Sequence, residues 1–179
     1  LRDELIKYVE DLVREDTKHN DGSHDWSHID RVRRWALIIA QTENVIDLDT
    51  VELGALLHDY MDPKYNTEAQ IQQKHNHLMQ LMTSCLGPFR AYKVLMVVDH
   101  VSFSKEQKCV NLIEFPELWC VQDADKLDAM GAVGIARTFL YSGMKHRSID
   151  QTVEHFHEKL LQLKHLLKTK CARNVGQHR

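Results

Sequence analysis

His58-Asp59 stands directly behind Leu56-Leu57, closing the most apolar stretch of the chain, LGALLHDY. Burying an imidazole and a carboxylate there is costly unless each is hydrogen-bonded, paired or bound to a metal ion. Neighbouring residues on a helix point about 100° apart. The two can therefore reach one ion only near that helix end, with other helices completing the sphere. His28 is suited to complete it, because it shares a stripe with Val32, Trp35 and Ile39 and should face inward. Asp125, within QDADKLD, offers a second carboxylate. Two imidazoles and two carboxylates make a mixed nitrogen and oxygen set that accepts Mn2+, Mg2+, Fe2+, Ni2+ or Zn2+. An octahedral sphere would keep two positions for water and a phosphate oxygen. Each piece also has a plainer reading. His58-Asp59 could be a hydrogen-bonded core pair, and DADKLD a solvated turn. HDWSH could be a helix start capped by Asp25 or Ser27, with His24 exposed.

The elements that must position these residues read as helices. The 179 residues suit one domain over 1–179, long enough to bury about 70% of the surface exposed on unfolding. Seven Gly and three Pro are too few for a loop-rich β architecture. Apolar stripes predict helices over about 2–17, 26–43, 51–60, 67–86 and 89–101, with Asp47 or Asp49 capping the third. Pro116 opens another, and 129–141 is helical and rich in small residues. From the cap Ser148 a long last helix carries Ile149, Val153, Phe156, Leu160, Leu163 and Leu167 in steps of four and three. That seam packs on the core or joins two copies in a homodimer. Residues 103–115 read as an irregular excursion, and 102–114 could serve as a lid or a dimer contact.

Composition narrows the partners. A net charge of −3 offers no basic surface for nonspecific nucleic-acid binding, so a phosphorylated substrate would be held by local cations or by a metal. No run approaches the roughly 18 apolar residues of a membrane span. The acidic, amphipathic start is unlike a signal peptide, and a chain beginning with Leu leaves an upstream targeting segment open. Cys85, Cys109, Cys120 and Cys171 form no CxxC pair and read as reduced thiols of an intracellular, cytoplasmic protein.

In order, HDWSHIDRVRRWA, ALLHDYMDPKY, VQDADKLDAMGAVGIARTF and HFHEKLLQLKHLLKT cover nearly the whole chain. Together they resemble the HD-domain phosphohydrolase superfamily, whose pattern is H…HD…D, and within it a subfamily of small bacterial-type hydrolases that includes nucleotide pyrophosphohydrolases. The resemblance implies an all-α HD-domain helical bundle with the metal on His28, His58, Asp59 and Asp125. Mn2+ or Mg2+ is the family's expectation. The expected reaction is in-line attack of a metal-activated water on a nucleoside triphosphate, giving monophosphate and pyrophosphate. Asp62 is the candidate for orienting that water or acting as general acid or base, or is simply an exposed acid before Pro63. Lys64 and Lys126 flank two ligand segments as phosphate clamps, or are surface lysines. Arg31, one turn past His28, binds phosphate or pairs with Asp59 or another acid. Asp128 and Arg137 read as structural partners.

Two enzyme alternatives use the same frame, a 5'-nucleotidase and a phosphodiesterase. A non-catalytic, nucleotide-sensing helical module is the third. A second metal would favour the phosphodiesterase. His75, His77 and His100 lie where its ligands would fall, yet His75 and His77 are two apart and face different ways on a helix.

Overall fold

The computed structural model describes residues 2–103, 106 and 115–179. Among them are nine α-helices and no strand. The helices are α1 (Arg2–Asp16), α2 (Trp26–Thr42), α3 (Leu48–Leu57), α4 (Glu68–Leu86), α5 (Pro88–His100), α6 (Pro116–Asp128), α7 (Gly131–Met144), α8 (Ile149–Glu158) and α9 (Lys170–Gly176). Short 3-10 turns occupy Thr17–His19 and Leu160–Leu166. The expected all-α architecture is the observed one.

Local chemistry sets the helix starts. The Asp25 carboxylate accepts the His28 N–H, and Asp47 accepts the Thr50 N–H, each satisfying an amide that the first turn leaves unpaired. Thr67 with Gln70, and Ser148 with Gln151, form reciprocal capping boxes. Pro88 and Pro116 stand in the first turn of α5 and α6, where a missing N–H costs nothing.

Helix α3 is buried from Thr50 to Leu57 because it is packed on both sides. Leu53, Leu56 and Leu57 join one apolar cluster with Val9 of α1, Leu78 and Met82 of α4, and Val94 of α5. Val51 and Ala55 join a second with Val32 and Ala36 of α2 and Leu118 and Val121 of α6. Gly54 permits the close approach of α5, since a Cβ there would lie 2.6 Å from Val97 Cγ1. Helices α2, α3 and α6 contact one another pairwise, so the segments bearing His28, His58 and Asp125 meet.

Two elements depart from expectation. Helix α3 stops at Leu57, so His58 caps it and Asp59 lies in the following turn. The long last helix does not form. It breaks at Lys159 (φ −133°, ψ −58°), passes through the 3-10 turn and restarts as α9. Ile149 is 71% exposed whereas Leu163 and Leu167 are buried, so the six residues do not form one seam. Beyond the break the chain docks on α6. Asp123 is fully buried, and its carboxylate accepts the Lys168 N–H (3.0 Å), the Thr169 N–H (2.7 Å) and the Thr169 hydroxyl (2.8 Å). A continuous helix would keep those amides in its own ladder and leave the carboxylate bare.

Most of 102–114, with the lid or dimer contact considered for it, lies outside the described residues, as does Cys109. Cys85, Cys120 and Cys171 are free thiols. Among the described residues no helix is long and apolar enough to cross a membrane.

Asp123→Ala is expected to lower the unfolding free energy by about 2–4 kcal/mol, because it strands two buried amides and a hydroxyl. Urea denaturation measures this; a change below about 0.5 kcal/mol would show that the C-terminal segment docks without that carboxylate.

Candidate metal centre

His28 enters the core on the first turn of α2 and is 1% exposed. Its Nδ1 lies 2.8 Å from Asp128 Oδ2, and an ionised carboxylate only accepts, so Nδ1 carries the proton. His58 Nδ1 lies 2.7 Å from the Ala55 carbonyl oxygen, which also only accepts. In the neutral imidazoles both Nε2 atoms are therefore lone-pair donors, and they face each other at 3.1 Å. Asp59 Oδ2 lies 3.3 Å from His28 Nε2 and 3.4 Å from His58 Nε2, and it is buried with no hydrogen-bond partner among the described residues. Asp125 Oδ1 lies 3.6 Å from His28 Nε2.

Ligand atoms of His28, His58 and Asp125 thus lie within 4.8 Å of one another, and Asp59 Oδ2 stands against the two imidazoles. A proton on one Nε2 would satisfy one contact and leave the rest opposed; a divalent cation satisfies all of them. Nitrogen and oxygen donors about 2.0–2.2 Å from one ion are separated by roughly 3.0–3.6 Å, which matches these spacings. The donor set fits the ion that its chemistry implies. The carboxylate calls for positive charge in this position: burial alone would raise the Asp59 carboxyl, and His58 and His28 hold it well below the ordinary carboxylate range when they carry protons in the ion's place. Asp125, 28% exposed at its side chain, is the most open of the four.

Around the donors stands a second layer. Asp128 is 1% exposed and receives Arg31 Nε at 2.7 Å, Arg31 Nη2 at 3.0 Å and Arg137 Nη1 at 3.2 Å, besides His28. Arg137 Nε also donates to the Ser23 carbonyl at 2.7 Å, tying α7 to the approach to α2. Of the roles open to Arg31, the structure gives it the acid pair. The Asp62 carboxylate accepts the Lys64 N–H at 2.8 Å and lies 3.2 Å from Lys64 Nζ. Lys126 is the correction. It is 3% exposed, and its ammonium lies 2.8 Å from Glu106, not at an open face. It follows Asp125 by one residue, so the helix turns it about 100° away.

Residues not singled out from the sequence complete the rim. His24 is half-buried, not exposed. Its Nε2 lies 3.2 Å from Lys64 Nζ and its Nδ1 2.6 Å from Ser23 Oγ, while Ser23 and Tyr65 both donate to Asp21. Burial pushes the His24 imidazole down to about 4 against the pull of Asp59, so it stays neutral and can accept from Lys64. Tyr141 and Lys159 also lie near. Only the i, i+4 step from His24 to His28 could have signalled any of these. His75 is 3.8 Å from Asp99, and His100 Nδ1 bonds the Met96 carbonyl. Among the described residues no second group of three His, Cys, Asp or Glu brings its donors together as these do.

Residues 25–130 match the HD domain, and the chain belongs to that family. It is a metal-dependent phosphohydrolase. YpgQ of Bacillus subtilis is 32% identical over 99% of this chain and 85% of its own length. A crystal structure of YpgQ in complex with ADP superposes with a TM-score of 0.79, at 33% identity, over 99% of this chain and 88% of that one. A protein of Lactobacillus plantarum gives 0.83 at 28% identity, covering 98% of this chain and 90% of its own. An HD-superfamily hydrolase of Bacillus thuringiensis gives 0.75 at 32% identity, covering 100% and 90%.

Acid should undo the second layer. Burial would raise the Asp128 carboxyl, but His28, Arg31 and Arg137 hold it below its ordinary value. Such a group contributes stability that is complete above its unfolded value, about 4, and is lost as pH falls toward the folded one. With chelator present, the urea midpoint of the wild type should drop steadily below about pH 4. Asp128→Asn should be about 3 kcal/mol less stable at pH 7 and show a shallower acid slope; parallel curves would rule this account out.

Proposed function

We propose that the chain cleaves nucleoside triphosphates to monophosphate and pyrophosphate, with Mn2+ or Mg2+ held by His28, His58, Asp59 and Asp125. The observation that carries this reading is the convergence of imidazole and carboxylate donors beside a cationic rim. Lys64 is within electrostatic reach of Asp59, and Lys159 of Asp125. Donors for a divalent ion next to lysines suit a substrate whose charge is carried by phosphate oxygens. The ADP held by YpgQ supports a nucleotide as the class of ligand. The nucleotidase and phosphodiesterase readings use the same donors and become outcomes of the assay below.

When bound, the ion polarises a phosphoryl oxygen and lowers the pKa of a nearby water. The chain's own groups do the rest. Asp128 and the Ala55 carbonyl each take an Nδ1 proton, so that in the neutral imidazoles Nε2 is the lone-pair donor. Asp62 is assigned the attacking water: each of its oxygens is engaged by Lys64 yet retains a lone pair. The water oxygen bonds to the α-phosphorus while its proton passes to the Asp62 carboxylate. The bond from that phosphorus to the bridging oxygen breaks, and its electron pair leaves with pyrophosphate. Lys64 balances charge on the phosphates, whereas Arg31 acts only through Asp128.

Incubation with Mn2+ and a panel of nucleoside triphosphates, monophosphates and cyclic nucleotides should yield monophosphate and pyrophosphate from the triphosphates alone, and Asp59→Ala should abolish this. Nucleoside plus phosphate would replace the reading by a nucleotidase, and cleavage of cyclic nucleotides by a phosphodiesterase. Bound metal without turnover would remove nucleotides as substrates. Separately, Asp62→Asn should lower kcat by about 100-fold or more with little change in KM. An unchanged kcat would reduce Asp62 to a counter-ion for Lys64.

A further inference from the structure

Tyr141, on the last turn of α7, is surrounded by positive charge. Lys64 Nζ and Lys145 Nζ each lie 5.7 Å from its ring centroid, and Arg147 Cζ lies 5.8 Å away. The ring of His24 is 5.7 Å from that of Tyr141 on one side and 5.9 Å from that of His28 on the other. The cluster is therefore one imidazole removed from the metal donors. Lys159 stands half-buried at the break after α8, near enough to feel Asp125, Lys64 and Arg137.

Bringing like charges together is unfavourable unless something negative joins them. Among the described residues no carboxylate forms an ion pair with Lys145, Arg147 or Lys159, and Lys64 has Asp62 alone. Cation–π attraction to one tyrosine offsets only part of the repulsion. The backbone is bent to make the arrangement. His146 takes a left-handed conformation (φ 54°), uncommon outside glycine, so that its N–H reaches the Gly143 carbonyl and the Arg147 N–H the Ser142 carbonyl. That turn brings both Lys145 and Arg147 within reach of one ring.

We propose that the cations around Tyr141 seat the trailing phosphates of the substrate and then the pyrophosphate product, making the site selective for phosphate-chain length. This rests on the triphosphate reading above. With the α-phosphate beside His28 and Asp125, the rest of the phosphate chain runs past His24 to Lys64, Lys145 and Arg147. Lys159 flanks the path from the Asp125 side. These cations are where the leaving group's charge accumulates as the bridging bond breaks.

Calorimetry on the full chain in Mg2+ tests this, with inorganic pyrophosphate and orthophosphate as probes. The wild type should bind pyrophosphate at least about 10-fold more tightly than orthophosphate. Lys145→Ala/Arg147→Ala, both at exposed positions, should weaken pyrophosphate about 10-fold and narrow that gap. Lys159→Gln is the second variant, expected to act in the same direction. Equal wild-type affinities, or pyrophosphate binding unaltered in both folded variants, would overturn the proposal. The two assays separate its failure from that of the activity. Triphosphate turnover with charge-insensitive pyrophosphate binding sinks this subsite only. Charge-dependent pyrophosphate binding without nucleotide turnover supports the subsite while the nucleotide assignment falls.

Discussion

A single buried carboxylate, that of Asp128, decides what the rest of the centre can be. It takes the proton-bearing Nδ1 of His28 on one side and the guanidinium groups of Arg31 and Arg137 on the others. Because His28 must donate there, its other nitrogen presents a lone pair to His58 and Asp59. A buried carboxylate without donors would be costly, and two half-buried guanidinium groups without an acid would be left unpaired beside it. Each of these groups makes the others tolerable, and together they fix one tautomer of one histidine. Orienting a metal-binding imidazole through its second nitrogen is how an outer layer tunes an inner one.

The framework was legible because it depends on rules that act over a few residues. Asp25, Asp47, Thr67 and Ser148 cap helices with their own side chains, and the apolar stripes give the helices their faces. The donors were legible for another reason: His58-Asp59 is an expensive pair after LGALL, and the order of His28, that pair and Asp125 is shared across a family. What stayed hidden depends on direction or on long-range partners. Lys126 adjoins Asp125 in the chain and points elsewhere on the helix. Arg31 faces inward as expected, but its partner is 97 residues away. Nothing near Leu160 announces the break at Lys159, and the docking of Thr169 on Asp123 joins residues 46 apart. The role of Tyr141 is equally invisible, since its surroundings come from the loop after α3 and from the turn at His146.

The two apolar clusters explain why the His58-Asp59 turn can be held so rigidly. Helix α3 is clamped between α1, α4 and α5 on one flank and α2 and α6 on the other. With the helix ended at Leu57, the Ala55 carbonyl is free to receive His58. The side chain that takes the place of the missing backbone donor is the one whose far nitrogen faces His28. Helix termination and assembly of the centre are the same event.

Helix α6 carries three aspartates with three separate duties. Asp123 anchors the C-terminal segment, Asp125 faces the donors, and Asp128 holds His28 and the arginines. All three depend on angular position around one axis. Inserting or deleting a single residue between Asp123 and Asp128 would rotate the acids on one side of the change by about 100° relative to those on the other. The C-terminal anchor and the metal centre could not then both keep their partners. The spacing of this stretch is thus a shared reading frame: divergence can exchange side chains along it, but cannot change its length without dismantling two functions at once.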